Sequence, residues 1–410
     1  MLKFLHAADV HLDSPLSGLD SYEGAPVEAI RGATRKAIIN LVRLAIDQRV
    51  AFVILAGDNY DGDWKDYNTG LFFVNQMQEL RKAGIPVVLL AGNHDAESRI
   101  TSKLTLPDNV LTFPTDNPNT ILFEQHRVAL HGQGFARQAE LRNLATNYPI
   151  PKAGWFNIGV LHTSLTGREG HANYAPCTLE ELKSRDYDYW ALGHVHNGES
   201  LNGENRPRIE WPGNIQGRHI RETGAKGCLI VEVDANLRVN PQFHALDVFR
   251  WERIQVEAGD LDRIAEVRNR VDEAITDARE KADGRPLAVR IELTLQPAVY
   301  AEISRNPEEF RMDLAGFAGR DVWIEKVKLK LAVVRNEPGF DLGEDARSEL
   351  FAALKAIREN EEEEPFAEGD CGKLKKTLPP ELREVLADQS VEIWERATAL
   401  LQAASGEEVS

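Results

Sequence analysis

Cysteine is scarce in this sequence, and the few cysteines lie far apart. Cys177, Cys228 and Cys371 are the only three in 410 residues, and none belongs to a Cys-x-x-Cys pair. This spacing excludes a disulfide framework and a zinc site built on paired cysteines. No thiol lies in a recognisable activating motif, which disfavours a cysteine nucleophile. The pattern suits a reducing compartment, and we expect the protein to be cytoplasmic.

Long apolar runs are also missing. The sequence has no stretch of about 18 apolar residues and so predicts no transmembrane helix. Lys3 interrupts the apolar start of the chain too early for a secretory signal. The hydrophobic fraction, 42%, is nevertheless ordinary for a globular protein. A chain of this length exceeds one ordinary core, and we expect two or three domains.

Positive charge is in deficit, since the formal net charge is −17. Such a balance disfavours nucleic acid as a partner, because phosphate contacts need lysine and arginine. The deficit is uneven: residues 1–250 contain 25 basic and 29 acidic residues, whereas residues 251–410 contain 23 and 36. The first part is therefore nearly neutral and compatible with DNA, and the second is better suited to binding protein.

Short apolar runs alternate with helical patterns over residues 1–250, which predicts an α/β domain. Strands are predicted at 4–8, 52–56, 87–91, 158–161, 189–192 and 208–211, and helices at about 30–45 and 71–80. In a second domain, 251–334, strands at 251–256, 287–295 and 322–331 and helices at 261–281 and 297–317 predict a small α+β fold. A third segment, 344–404, is predicted to be helical. The apolar face of residues 382–400 would dock on a partner or pack on the small domain.

Five short polar motifs each follow one of the predicted strands. They are Asp9-Val10-His11, Gly57-Asp58-Asn59-Tyr60-Asp61, Gly92-Asn93-His94-Asp95, Leu161-His162-Thr163 and Gly193-His194-Val195-His196. Side chains at the ends of strands converge on ligands in many folds. Each motif alone could be an ordinary turn or a helix cap, but all five in this order favour one shared site.

The residue types in these motifs predict a pair of divalent cations. Carboxylate, imidazole and amide oxygen without thiolate favour manganese, iron, magnesium or zinc. Two such ions about 3.5–4 Å apart promote in-line displacement at phosphorus. We predict that Asp58 bridges the two ions. The other predicted ligands are Asp9, His11 and His196 on one ion and Asn93, His162 and His194 on the other.

One histidine of the motifs, His94, is left over as a non-ligand. It is suited to protonating the leaving oxygen or to steadying the phosphate, and Asp61 is predicted to orient it. Both are therefore candidate catalytic residues.

The five motifs resemble those of the calcineurin-like metallophosphoesterases. Four longer segments, residues 6–15, 161–165, 170–177 and 212–219, resemble the YhaO-type branch of the SbcD DNA repair exonuclease family. The resemblance covers about residues 1–250. It implies a four-layer αββα sandwich with a small α+β capping domain, Mn2+ as activator, a homodimer, and a coiled-coil ABC-type ATPase partner (SbcC/YhaN-like). Position 61 departs from part of the superfamily, where some relatives have histidine.

The resemblance also implies a DNA cleft beside the metals, partly covered by the small domain. Arginines that could border it are Arg168, Arg206, Arg208, Arg218 and Arg221. The predicted DNA contacts are Arg218 first, then His219, Arg168 and His171, although ordinary surface roles remain open for each. The sequence therefore predicts a two-metal DNA exo/endonuclease subunit. The alternatives are a phosphatase or cyclic-nucleotide phosphodiesterase on the same scaffold, and a binding scaffold without catalysis.

Overall fold

The computed structural model describes residues 2–14, 30, 32–61, 67–97, 104–166 and 174–332. They divide into two compact units, one comprising residues up to Glu252 together with Ala282–Ala288, the other comprising Arg253–Lys281 and residues from Val289 onward. The predicted helical segment 344–404 and Cys371 lie outside the described residues. No helix among the described residues has the length and apolar character needed to cross a membrane.

The first unit contains two six-stranded sheets. The first sheet has the strand order β12-β11-β1-β2-β3-β4, with β1 at Leu2–Ala7, β2 at Val53–Ala56, β3 at Val87–Leu90, β4 at Val110–Thr112, β11 at Gly227–Val233 and β12 at Val239–Ala245. The strands β1 to β4 pair in parallel, and β11 and β12 are antiparallel additions at one edge.

The second sheet has the order β5-β6-β7-β8-β10-β9. Its strands are β5 at Asn119–Phe123, β6 at Val128–Gly132, β7 at Phe156–His162, β8 at Tyr189–Gly193, β9 at Glu199–Ser200 and β10 at Arg208–Trp211. The run from β6 through β7 and β8 to β10 is parallel. Each sheet therefore presents several carboxyl strand ends along one edge.

Helices cover the outer faces of both sheets of this unit. Helices α1 (Ala33–Asp47) and α2 (Tyr67–Lys82) pack on the first sheet through a core that includes Leu41, Phe73 and Val53. A second core between the sheets joins Phe4, Ile54, Ile158 and Tyr189 with other apolar side chains. On the far side, Trp190 and Leu192 pack against Leu182 of α4 (Leu179–Lys183), which follows the short α3 (Asn93–Glu97). These layers confirm the predicted αββα fold class.

The second unit holds a three-stranded sheet and three helices among the described residues. The sheet order is β13-β14-β15, with β13 at Arg250–Ala258, β14 at Leu287–Leu295 and β15 at Val322–Leu331. The helices are α5 (Ile264–Lys281), α6 (Pro297–Arg305) and α7 (Pro307–Ala318). The single helix predicted at 297–317 is wrong, because Pro307 disfavours a helical conformation at Asn306, whose φ is −145°.

Six strands of the first unit were not predicted from the sequence pattern: β4, β5, β6, β9, β11 and β12. The last of these contains Pro241 and is mostly exposed, so it lacks the apolar alternation that identifies a strand. The strand β11 contains an apolar run at residues 228–231 and lies buried beside β1. The missed strands widen the two sheets but contain none of the five polar motifs.

Candidate metal centre

The seven predicted metal ligands lie together at the carboxyl ends of five neighbouring strands. Asp9 and His11 follow β1, Asp58 follows β2, Asn93 begins α3 after β3, His162 ends β7, and His194 and His196 follow β8. Groups whose ligand atoms lie within 4.8 Å of one another are Asp9 with His11 and His196, Asp58 with His162 and His194, and His11 with Asp58 and His94. The first group is one of the two predicted sets, and the second contains two members of the other set together with Asp58. The third group includes His94, which was predicted not to be a ligand, and Asp58 belongs to two of the three groups.

The backbone at this edge is held in uncommon conformations. Asp9, His11, Asp58 and His194 all have φ between 44° and 92°, in the left-handed region that non-glycine residues rarely adopt. Such strain persists only where surrounding structure enforces it, and it concentrates at functional sites. Gly193 serves close approach rather than a turn, because a Cβ there would collide with the Ala56 carbonyl.

The first group is organised by hydrogen bonds behind the predicted ligands. The carboxylate of Asp9 accepts from the backbone N–H of His194, at 2.9 and 3.1 Å to its two oxygens. His196 places Nδ1 2.7 Å from Oε1 of Glu222 and Nε2 3.1 Å from Nε2 of His11. With its Nδ1–H on Glu222, the ring of His196 presents the lone pair of Nε2 to the centre.

The second group is organised around Asp58 and His162. The ring of His162 donates from Nδ1 to the Ala56 carbonyl at 3.1 Å, which leaves Nε2 facing Asn93 Oδ1 at 2.9 Å and Asp58 Oδ2 at 3.4 Å. Oδ1 of Asp58 accepts from the backbone N–H of His94 at 3.0 Å. Asp58 and His162 are buried, and their side chains are at most 2% exposed.

The donor atoms fit divalent cations because they are electron-rich atoms facing one another in a buried site. Burial opposes the charge on His162, yet the negative charge of Asp58 raises the pKa of His162 to about 9. Burial also opposes the charge on Asp58, yet His162 and His11 hold the pKa of that carboxyl well below its usual range. The carboxylates of the cluster therefore favour a positive charge at its centre. In the protein alone, protonated imidazole supplies that charge, and divalent ions would supply it more strongly.

His94 and Asp61 also meet, as the sequence predicted. Nδ1 of His94 lies 2.8 Å from Oδ1 of Asp61, and the imidazole is 34% exposed. Burial by itself lowers the pKa of His94, but the hydrogen bond to Asp61 and the charge of Asp58 raise it overall. The same Asp61 oxygen lies 3.5 Å from Nδ1 of His11, so this carboxylate faces two histidines.

The residues expected to contact DNA are dispersed. His219 is exposed beside the site and Arg221 is exposed next to it, whereas Arg218 is 12% exposed and bound to Glu222. Arg206 pairs with Asp186 and Asp188, and Arg208 pairs with Glu210.

The expectation that Arg206 and Arg208 border the site is wrong. Asp188 precedes β8 and Arg208 begins β10, so this cluster lies at the amino ends of strands whose carboxyl ends carry the site. Arg168 and His171 lie outside the described residues.

Two buried carboxylates of the site were missed in the sequence. Glu222 is 3% exposed and receives hydrogen bonds from His196, Arg218 and Asn214. Asp95 is 7% exposed and accepts from the backbone of three residues in two motif loops, including Gly92. Asp95 was visible in the third motif but was given no role. Glu222 stands outside every motif, so only its charge beside a family-like segment could have indicated it.

Family models match two stretches of the chain. The calcineurin-like phosphoesterase model matches residues 2–198, which contain all five motifs. The model of the middle domain of metallophosphoesterase YhaO matches residues 251–332, the region of the three-stranded sheet.

Three relatives have names that also indicate a phosphoesterase, a DNA repair protein or a nuclease. The metallophosphoesterase YhaO of Bacillus subtilis is 34% identical over 295 residues, 71% of this chain and 71% of that protein. The DNA double-strand break repair protein Mre11 of Methanopyrus kandleri is 26% identical, covering 62% of this chain and 58% of that protein. The SbcD component of the nuclease SbcCD from Staphylococcus epidermidis is 23% identical, covering 66% of this chain and 76% of that protein.

Proposed function

Because the chain belongs to the calcineurin-like metallophosphoesterases, in their YhaO family, we propose that it is a metal-dependent DNA nuclease subunit that cuts phosphodiester bonds. The chemistry class rests on the family. The choice of DNA rests on the similarity to two proteins named for DNA repair and nuclease activity. The single observation that carries the proposal is that His11 of the first group and His162 and His194 of the second lie around Asp58, with His94 beside them.

The proposed ligands are the seven residues that meet at the strand ends. Asp9, His11 and His196 would hold one divalent ion and Asn93, His162 and His194 the other, with Asp58 shared. When bound, a pair of ions would stabilise the negative charge that develops on the phosphoryl oxygens and would lower the pKa of bound water. The backbone hydrogen bonds to Asp9 and Asp58 orient these carboxylates before any ion binds.

The proposed catalytic acid is His94. Because Nδ1 is bound to Asp61, Nε2 of the same ring would donate the proton to the leaving oxygen. Asp61 fixes the orientation of the ring through Nδ1–H and stabilises the protonated imidazole. His219, exposed beside the site, remains a proposed DNA contact, as do Arg168 and His171.

Further parts of the proposal rest on the family resemblance of the motifs. We propose Mn2+ as the activating ion, a homodimer as the working form, and a coiled-coil ABC-type ATPase of the SbcC/YhaN type as partner. The oxygen and imidazole donors at the site suit Mn2+. DNA binding would be concentrated on the first 250 residues, where basic and acidic residues nearly balance.

A phosphatase or cyclic-nucleotide phosphodiesterase is the second candidate, because the same strand-end site could attack monoesters. The deciding experiment compares the metal-loaded full chain on linear duplex DNA, bis-p-nitrophenyl phosphate and p-nitrophenyl phosphate. We expect manganese-dependent cleavage of DNA and of the diester, with little turnover of the monoester. The matched control is Asp58→Asn, which should abolish both activities and so exclude a contaminating nuclease.

Three other outcomes would contradict the nuclease proposal. Turnover of the monoester with intact DNA would favour a phosphatase, and cleavage of cyclic nucleotides alone would favour a phosphodiesterase. A well-folded, manganese-loaded protein without activity on any ester would favour a binding scaffold.

A further inference from the structure

Arg218 lies between two carboxylates at the edge of the candidate metal centre. Its Nη2 donates to Oε1 of Glu222 at 2.8 Å, and its Nε reaches Oε2 of the same carboxylate at 3.3 Å. Its Nη1 lies 3.7 Å from Oδ2 of Asp61. The guanidinium therefore holds Glu222 in a two-point contact and reaches the second carboxylate with its remaining nitrogen.

Each of these carboxylates lies near Nδ1 of a different proposed metal ligand, and Asp61 also contacts His94. Oε1 of Glu222 lies 2.7 Å from Nδ1 of His196, and Oδ1 of Asp61 lies 3.5 Å from Nδ1 of His11. The two histidines belong to the same ligand group, and their Nε2 atoms are 3.1 Å apart. A carboxylate behind a histidine fixes the tautomer and direction of the ring, which tunes its affinity for a metal.

The surroundings of Glu222 complete the arrangement. Oε2 also accepts from Nδ2 of Asn214 at 2.9 Å and from the backbone N–H of Arg218 at 2.8 Å. Glu222 is 3% exposed, so an unpaired charge there would be costly. Arg218 thus offsets the charge of a buried carboxylate whose Oε1 is also bound by His196, and Nη2 of Arg218 lies 3.3 Å from Nδ1 of that histidine.

We propose that Arg218 and Glu222 are positioning residues, and that Arg218 joins Glu222 to Asp61 so that His196 and His11 present Nε2 to the same divalent cation. This inference rests on the metal centre proposed above and concerns one of its two ions. It gives Arg218 a role different from the DNA phosphate contact expected from the sequence. A phosphate would have to compete with two carboxylates and with Oγ of Ser14, 3.5 Å from Nη1.

The test is a Mn2+ titration of the metal-free full chain by isothermal titration calorimetry, without DNA. We expect two equivalents in the unaltered protein. In Glu222→Gln and in Arg218→Met, one equivalent should bind about 10–100-fold more weakly, and the other should change by less than about threefold. The matched control is Arg221→Met, which removes a nearby exposed arginine of the same turn and should leave both affinities unchanged.

Double variants locate the weakened ion. Because Glu222 acts through His196, adding Glu222→Gln to His196→Asn should weaken Mn2+ binding by less than about a further twofold. Adding Glu222→Gln to His162→Asn should weaken it by the full amount seen for Glu222→Gln alone. Thermal unfolding in EDTA accompanies each titration, and we expect every variant to unfold cooperatively.

Several results would overturn the inference. One is a folded Arg218→Met or Glu222→Gln variant that keeps both affinities within twofold. Another is loss of folding in EDTA for both variants, which would show that Arg218 and Glu222 stabilise the loop rather than position the ligands. An unaltered protein that binds no pair of ions would refute the metal centre itself, a result distinct from failure of the positioning role.

Discussion

Nδ1 of His94 and Oδ1 of Asp61 are 2.8 Å apart, a contact that suits the proposed catalytic acid and the carboxylate proposed to orient it. The imidazole is 34% exposed whereas the carboxylate is 16% exposed, so the acid is accessible and its anchor lies deeper. The raised pKa of His94 keeps a larger fraction of the ring protonated, as a group that donates a proton requires.

Replacing His94 should therefore affect esters according to their leaving group. We expect His94→Gln to lower kcat on DNA by about 100-fold or more, because its alkoxide leaving group needs a proton. The loss on bis-p-nitrophenyl phosphate should be much smaller, because p-nitrophenolate leaves unprotonated. Steady-state kinetics with Mn2+ measure both, and the exposed His126→Gln is the control. Equal losses on the two esters, or loss of bound manganese, would remove His94 from the acid role.

Asp95 should matter for stability rather than for chemistry. Its carboxylate accepts from the backbone N–H groups of Asn59, Tyr60 and Gly92 at 2.9–3.1 Å, and from the amide of Asn59 at 3.0 Å. We expect Asp95→Asn to lower the free energy of unfolding by about 2–4 kcal/mol, since an amide cannot accept all these buried donors.

Urea unfolding in EDTA measures this loss. The control is Asp108→Asn, whose side chain is 72% exposed and which should change stability by less than about 0.5 kcal/mol. A change in Asp95→Asn no larger than that of the control would show that the loops hold without this carboxylate.

His6 should make the first unit sensitive to acid. Burial lowers its pKa from 6.5 to about 3, against a hydrogen bond to the Leu192 carbonyl, and Nδ1 lies 2.9 Å from the Tyr189 hydroxyl. Between about pH 3 and pH 6.5, His6 binds a proton in the unfolded chain but not in the folded protein. The contribution of neutral His6 to stability is therefore fully present above pH 6.5 and is lost as the pH falls. His6 should account for about 2 kcal/mol of the stability lost between pH 7 and pH 5.

The variant His6→Gln removes this titration and tests it. It should be less stable than the unaltered protein at pH 7 but lose about 2 kcal/mol less on acidification, as measured by urea unfolding at both pH values in EDTA. His126→Gln should retain the original dependence on pH. An unchanged slope in His6→Gln would mean that other buried groups cause the acid sensitivity.

Gly193 should tolerate no side chain. A Cβ at this position would collide with the Ala56 carbonyl and with Nδ1 of His162, where the two sheets of the first unit approach each other. We expect Gly193→Ala to cost about 3 kcal/mol or more and to weaken Mn2+ binding, as measured by thermal unfolding and calorimetry. Gly316→Ala, with no atom within 4 Å of the added carbon, should be neutral or stabilise α7 by up to about 1 kcal/mol. Similar behaviour of the two variants would contradict this account.

Much of the fold and nearly all of the proposed ligand set could be predicted from local sequence. Apolar runs marked β1, β2, β3, β7 and β8. Parallel strands of one sheet end at the same edge, so the polar residues after β1, β2 and β3 had to lie together, and so did those after β7 and β8. The packing of the two sheets then decided that these two edges meet. The break at Asn306 was also present in the sequence, as an Asn-Pro step. Strands such as β12 escaped prediction because an exposed edge strand carries no apolar alternation.

The partners behind the ligands were decided by tertiary structure alone. Glu222 meets His196 across 26 positions of the chain, and nothing in the pattern around Glu222 distinguishes it from a surface glutamate. Arg206 and Arg218 both follow β8 in similar polar loops. Yet Arg206 pairs with Asp186 and Asp188 at the amino ends of strands, whereas Arg218 pairs with Glu222 at the site. Sequence determines which residues end a strand, because that depends on neighbours along the chain. Which charges meet depends on how distant loops fold back, and only the packed structure specifies that.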